Sequence, residues 1–141
     1  MNHDVHFSSQ TASWFSPENV LSAVREFIGG QIGLDPCWEH GCDTDPATKY
    51  TAKDDGLTAN WQGFGPVYVN PPYGRSIPKW TGKIVREAEQ GCEVVALLPS
   101  RTDTAWWHCH VATATRVLLW RGRLKFKGAT SSAPFPSALA Y

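Results

Sequence analysis

Apolar and polar positions change their period several times along the chain. Val20, Leu21, Val24, Phe27 and Ile28 recur at helical spacing. Ser16, Pro17 and Glu18 precede them as a hydroxyl N-cap, a proline at the first helical position and an acid in the first turn. Gly29-Gly30 ends this helix. Gln31 to Asp35 is a short apolar run closing on an acid, a strand candidate. Pro36 to Asp55 is polar and has no clear period, with one short strand expected around Lys49 to Thr51. Beyond Gly65, Pro66-Val67-Tyr68-Val69 reads as a buried strand running into Asn70. The spacing predicts a helix over 76–90, with Ser76 as N-cap, Pro78 tolerated in the first turn and Gly91 as the stop. Glu93 to Leu98 is the strongest strand, a continuous apolar run of the kind buried in parallel sheets, and Pro99 ends it. A helix over 102–113, a strand over 116–120, a turn at Arg121-Gly122-Arg123 and a strand over 124–126 follow. Ser137 to Tyr141 reads as a last strand, and the first dozen residues as a loose arm.

Strands alternating with helices predict a single α/β domain over residues 1–141, built on a mostly parallel sheet. Ligands of such sheets bind beyond the carboxyl ends of the strands. That rule places Asp35, Asn70 and Pro99-Ser100-Arg101 along one rim. No run of about twenty apolar residues exists, so no membrane span is expected. The opening residues Met1 to His6 carry no basic segment and no apolar core, so no secretory signal is expected and the setting is cytoplasmic. Cys37, Cys42, Cys92 and Cys109 then read as thiols, with Cys92 and Cys109 as small packing residues.

Charge alters this picture by its distribution. The formal net charge is zero, yet up to Val69 three Lys and Arg face nine Asp and Glu, and from Asn70 onward ten face four. A basic second half suggests a phosphate-bearing partner.

The chemistry is carried by Asn70-Pro71-Pro72-Tyr73, directly after a buried strand. Two prolines stiffen the turn and remove two donors, which leaves carbonyls free to accept. The side-chain oxygen of Asn70 is a second acceptor, and Tyr73 offers a flat ring. Together they form a socket for a planar group bearing an NH2. The lone pair of such a nitrogen is delocalised into its ring. Two acceptors holding both hydrogens favour the pyramidal geometry in which it attacks, and they stabilise the positive charge that develops.

The tetrapeptide matches the motif of amino-group methyltransferases. Nearly the whole chain, from Trp14 on, resembles the phage-type DNA N6-adenine methyltransferases. The matching blocks are Trp14-Phe15-Ser16-Pro17, Leu34-Asp35-Pro36, Asp55-Gly56-Leu57, Val69 to Gly74, Leu98 to Thr104, Gly122 to Phe126 and Ala133 to Ser137. The resemblance implies a reduced Rossmann-like fold and S-adenosylmethionine as methyl donor. It implies that Asn70, Pro71, Pro72 and Tyr73 are catalytic. Trp14, Ser16 and Pro17 would lie near the methionine end of the cofactor, and Asp35, with Pro36 beside it, would bind its amino group. Asp55 would accept from the cofactor's adenine, Leu57 would pack on that ring, and Asp45, or equally Asp43, would hold the ribose. Larger relatives carry a glycine-rich turn after the first strand. Here only Gly41 remains of it, which implies remodelled cofactor contacts and a reduced sheet.

DNA is the expected partner, with the target adenine flipped out or single-stranded. Arg101 is a candidate phosphate contact, and Asp103 a candidate to orient it; the same segment reads equally as a helix start capped by Thr102. Arg121, Arg123 and Lys125 alternate with apolar residues as in a cationic hairpin, above buried Leu124 and Phe126. Trp106, Trp107 and Trp120 read as core. Cys37, His40, Cys42, His108, Cys109 and His110 fit no familiar metal spacing, so no metal is expected. Two rival readings share the tetrapeptide: methyl transfer to RNA or to a glutamine side chain, and a DNA-binding module that has lost catalysis.

Overall fold

The structure, a computed structural model, describes residues 14–141. The arm expected at the start lies outside the described residues. The chain runs α1 (Glu18–Ile28), β1 (Leu34–Asp35), β2 (Thr48–Lys49), β3 (Val67–Val69), α2 (Ile77–Glu89), β4 (Val94–Pro99) and α3 (Ala105–Cys109). A 3-10 turn at Val111–Thr113 follows, then β5 (Val117–Leu119) and β6 (Ser137–Ala140). One six-stranded sheet has the order β2-β1-β3-β4-β6-β5. The first four strands are parallel, and β6 runs antiparallel between β4 and β5.

Strand β4 shows how the sheet is buried from both sides. Its side chains alternate: Val94, Ala96 and Leu98 join one core with Leu34, Val67, Val69, Trp80, Trp107 and Val111. Val95 and Leu97 join the other, with Val20, Leu21, Val24 and Tyr68. Helix α1 therefore covers one face, and α2 with α3 the other. A continuous apolar run is what such a strand needs, because neither face meets water. Strand β5 differs: it lies at the sheet edge, and Val117, Leu118 and Leu119 are all exposed.

The sheet is a reduced one. No helix connects β1 to β2 or β2 to β3, so residues 36–47 and 50–66 are irregular. Gly33 lets β1 come close to that second segment: its N–H donates to the Pro66 carbonyl at 2.8 Å, and a Cβ there would overlap the Phe64 carbonyl.

Several local expectations are corrected. Ser16 does not cap α1; its hydroxyl is engaged elsewhere, and Pro17 is the N-cap, with its carbonyl accepting from Val20 and Leu21. The helix after β4 starts later than expected, with Thr104 rather than Thr102 accepting the capping bond, from the Trp107 N–H. Residues 124–126 form no strand. Leu124 and Phe126 are buried and Lys125 exposed, as a strand would have them, but the backbone makes only local bonds and one bridge, Phe15 with Lys127. Cys109 is exposed rather than packed, while Cys92 is half-buried against the core. All four cysteines are thiols.

Candidate active site

A cleft of about 260 Å³ opens at the carboxyl ends of β1 and β3. Asp35 closes β1, and Asn70 follows β3 immediately, so two parallel neighbours aim both side chains at one place. Trp14, Phe15 and Ser16 form one wall, and Pro71, Pro72, Tyr73 and Trp80 another. Pro36 to Glu39, Cys42 and Thr44, together with Tyr50 to Ala52 and Asp55-Gly56, complete it. Among the lining residues stand three carboxylates, Asp35, Glu39 and Asp55, and no lysine or arginine.

Asp35 is 3% exposed. Its Oδ2 accepts from the Thr44 hydroxyl at 2.7 Å and its Oδ1 from the Cys37 N–H at 2.9 Å. Burial raises its pKa to about 6; the two hydrogen bonds pull it down but do not offset that, and Glu39 adds to the rise. Burial likewise pushes the Cys37 thiol well up, with Asp35 and Glu39 reinforcing it. Cys37 is therefore no nucleophile at neutral pH.

Asn70 is held by its amide nitrogen. Nδ2 donates to the Trp14 carbonyl at 2.6 Å and to Ser16 Oγ at 3.1 Å. Its Oδ1 is buried and has no partner among the described residues. A buried acceptor without a donor costs roughly 1–3 kcal/mol. Such an atom beside an open cleft is a vacant place for a ligand N–H. Nothing among the described residues donates to the Pro71 carbonyl either. Tyr73 is fixed by its hydroxyl, which donates to the Leu97 carbonyl at 3.4 Å. Enclosure of that hydroxyl raises its pKa well above the usual range, so it stays protonated. Its ring lies edge-on to Phe126 and Phe135, 6.2 and 5.5 Å between centroids.

Of the residues expected at the cofactor, the cleft brings together Trp14, Ser16, Asp35, Pro36 and Asp55. Three lie outside its lining. Pro17 is taken up as the cap of α1. Asp45 is exposed on a left-handed turn (φ 43°), where its carbonyl receives Gln31 Nε2. Leu57 turns inward onto the core shared with α2, because Asp55, itself left-handed, bends the chain and accepts the Leu57 N–H. The other ribose candidate, Asp43, is paired with Lys127 at 2.8 Å. The sequence reading missed Trp38, Glu39, Thr44, Tyr50 and Trp80, all in the lining. All but Trp80, which α2 carries, come from segments without a period, and only folding gathers them. Tyr68 was missed too, although its place two residues before Asn70 on a strand puts both on one face.

The expected DNA contacts do not line the cleft. Arg101, Arg121, Arg123 and Lys125 are exposed. The guanidinium of Arg101 lies 5.8 Å from the Phe135 ring centroid, and that ring touches Trp14 and Tyr73. Among the described residues no group of three or more His, Cys, Asp and Glu side chains is arranged to hold a metal, and no helix is long and apolar enough to cross a membrane.

No curated protein and no solved structure matches the chain. A family model does, over residues 6–138, nearly the full length. Its span takes in the tetrapeptide and every segment lining the cleft, and the chain belongs to the DNA N-6-adenine-methyltransferase (Dam) family.

Proposed function

We propose that this protein transfers a methyl group from S-adenosylmethionine to the N6 amino group of adenine in DNA. The observation that carries the reading is the vacant Asn70 Oδ1, buried at the end of β3 within the cleft. An exocyclic amino group has two hydrogens, and the Asn70 side chain and Pro71 carbonyl offer two acceptors in one turn.

The cofactor suits the cleft by charge and shape. S-adenosylmethionine is cationic at its sulfur and its amino group, and the lining holds three carboxylates and no opposing cation. Asp35 and Asp55, both in the lining, would take the amino group and the adenine respectively. Glu39, in the lining where Asp45 is not, takes over as the carboxylate for the ribose. Trp14, Trp38, Tyr50 and Trp80 offer apolar surface to an adenine ring. When bound, the cofactor supplies an electrophilic methyl group on a sulfonium.

The chain's own residues act on the acceptor nitrogen. Asn70 Oδ1 and the Pro71 carbonyl take its two hydrogens, localise its lone pair and stabilise the positive charge that grows on it. No strong base is needed, since the nitrogen becomes acidic once methylated. Tyr73 supports the base with its ring, held in place from behind by Leu97, Phe126 and Phe135. An adenine within a duplex does not reach this turn, so the substrate base is flipped out or unpaired. Arg101, Arg121, Arg123 and Lys125 hold the backbone around it.

The test is methyl transfer from labelled cofactor to DNA, with nucleoside analysis of the product. N6-methyladenine is expected. Cofactor binding without any methylated adenine would refute the reading. Asn70→Ala is expected to lower kcat by about 100-fold or more and to leave the cofactor Kd within about twofold. An equal loss of both would make Asn70 structural.

A further inference from the structure

We infer that Ser16 and Tyr68 are positioning residues for Asn70, a relay that, together with the Trp14 carbonyl, holds its amide with Oδ1 toward the cleft. The inference rests on the methyl-transfer reading for its consequence, but its geometry stands apart from it.

Two contacts hold the Asn70 amide, and the first identifies its nitrogen. The Trp14 carbonyl is only an acceptor, so the Asn70 atom 2.6 Å away is the NH2 nitrogen. The reverse orientation would set two oxygens against each other. Ser16 Oγ, at 3.1 Å, takes the second amide hydrogen. Both donors are thereby used inside the protein, and Oδ1 is left for the cleft.

Ser16 is itself held. Its hydroxyl lies 2.7 Å from the Tyr68 hydroxyl, and both side chains are buried. Tyr68 belongs to β3, paired with Val95 of β4 at the centre of the sheet, and is 0% exposed. Burial raises the pKa of its phenol, and the Ser16 hydrogen bond only partly offsets this, so it remains a neutral hydroxyl. Two alternations then interlock. Tyr68 and Asn70 stand two residues apart leaving β3, and Trp14 and Ser16 two apart in the segment before α1. Tyr68 and Asn70 thereby share a side, and the Trp14 carbonyl and the Ser16 hydroxyl meet them there. A rigid central strand thus reaches the catalytic amide twice: directly through the backbone, and through the Ser16 hydroxyl.

The chain Tyr68–Ser16–Asn70 differs from general packing in what it predicts. Removing the Ser16 hydroxyl leaves the amide held by the Trp14 carbonyl alone, and removing that of Tyr68 leaves Ser16 without its partner; either loosens the placement of the Asn70 acceptor. Ser16→Ala is expected to lower kcat about 10- to 100-fold, and Tyr68→Phe, outside the cleft lining, about three- to tenfold with cofactor Kd and DNA KM little changed. Ser16→Thr, which keeps the hydroxyl, is expected to retain most of kcat. The double variant is expected to match Ser16→Ala alone, because Tyr68 acts through Ser16. Losses that multiply, or that fall on Kd alone, would overturn the relay.

A second readout needs no turnover. The Asn70 side-chain NH2 protons, followed by NMR, are expected to exchange at least about tenfold more slowly than those of an exposed asparagine, and Tyr68→Phe to speed them. Free exchange in the unaltered protein would overturn the inference even if methylation is found. Absence of N6-methyladenine with protected protons would instead remove the methyl-transfer reading and leave the geometry intact.

Discussion

At Asp35 two requirements oppose each other. Burial keeps the carboxylate rigid under Thr44 and Cys37, and the same burial lifts its pKa from 3.8 to about 6. A raised acid pKa favours the protonated folded form. Its stabilising contribution is therefore complete below about pH 4 and is lost as pH rises through about 6. At neutral pH the ionised group is a cost, which Asp35→Asn removes. That variant is expected to unfold at a higher urea concentration at pH 7.5, by up to roughly 3 kcal/mol, and to lose this advantage at pH 4. Cofactor affinity should move the other way. Calorimetry is expected to show it weakening as pH falls from 7.5 to 5 in the unaltered protein, and weak throughout in Asp35→Asn. Unchanged affinity in the variant would remove Asp35 from the cofactor site. The residue was legible in the sequence as an acid closing a strand; the shared burial with Cys37 and Thr44 was not, because Thr44 arrives from a loop without a pattern.

Helix α2 holds more than its own face of the sheet. Lys83 and Glu87, one turn apart, are both buried and paired. Lys83 also donates to the Ala59 carbonyl at 2.8 Å, and Gln62 Nε2 to the carboxylate of Glu87 at 2.6 Å. The pair thus ties α2 to the irregular segment that carries Asp55 and Gly56 into the cleft. Burial alone would raise the Glu87 pKa. The hydrogen bonds from Lys83 and Gln62, with the Lys83 charge, outweigh it and lower the pKa below 4.5. A depressed acid pKa contributes stability above about pH 4.5 that is lost on further acidification. Lys83→Met strands the carboxylate and is expected to cost about 3–5 kcal/mol at pH 7, with the penalty shrinking in acid as Glu87 is protonated. Equilibrium unfolding at the two pH values checks this. The segment over 121–136 departs most from the sequence reading at this scale. Its alternation of charge and apolar side chain survives as a burial pattern, yet no ladder forms. Leu124, Phe126 and Phe135 are drawn instead onto α1 and the back of Tyr73. Alternation decides which side chains enter a core, but a strand also needs a backbone ladder, and residues 124–126 pair with no strand among the described residues.

For the molecule as a whole, the segregation of charge outlives folding only in part. Lys83 is buried with Glu87, and Lys127 pairs with Asp43 of the acidic half. Arg101, Arg121, Arg123 and Lys125 keep their charge at the surface. On the proposed reading these four are the candidates to meet the DNA backbone, and the three carboxylates of the cleft to meet the cofactor. Lys125→Ala is expected to weaken DNA binding severalfold and to reduce the slope of log K against log salt by about 1. An unaltered slope in a filter-binding titration would take Lys125 out of the contact.

The sequence by itself determined the order of the elements through β4, the burial of β4 on both faces and the place of the candidate site. Each of these is local: period fixes which side chains are hidden, and Asn-Pro-Pro-Tyr after a strand fixes a stiff, acceptor-rich turn. Only the tertiary structure decided the walls of the cleft and the aim of the amide. It brought Glu39 rather than Asp45 to the cavity, took Ser16 from capping α1 to holding Asn70, and turned the expected ribbon into support for Tyr73. These outcomes depend on contacts between residues dozens of positions apart, where competition for one buried hydrogen bond or one apolar surface is settled by packing and leaves no period in the chain.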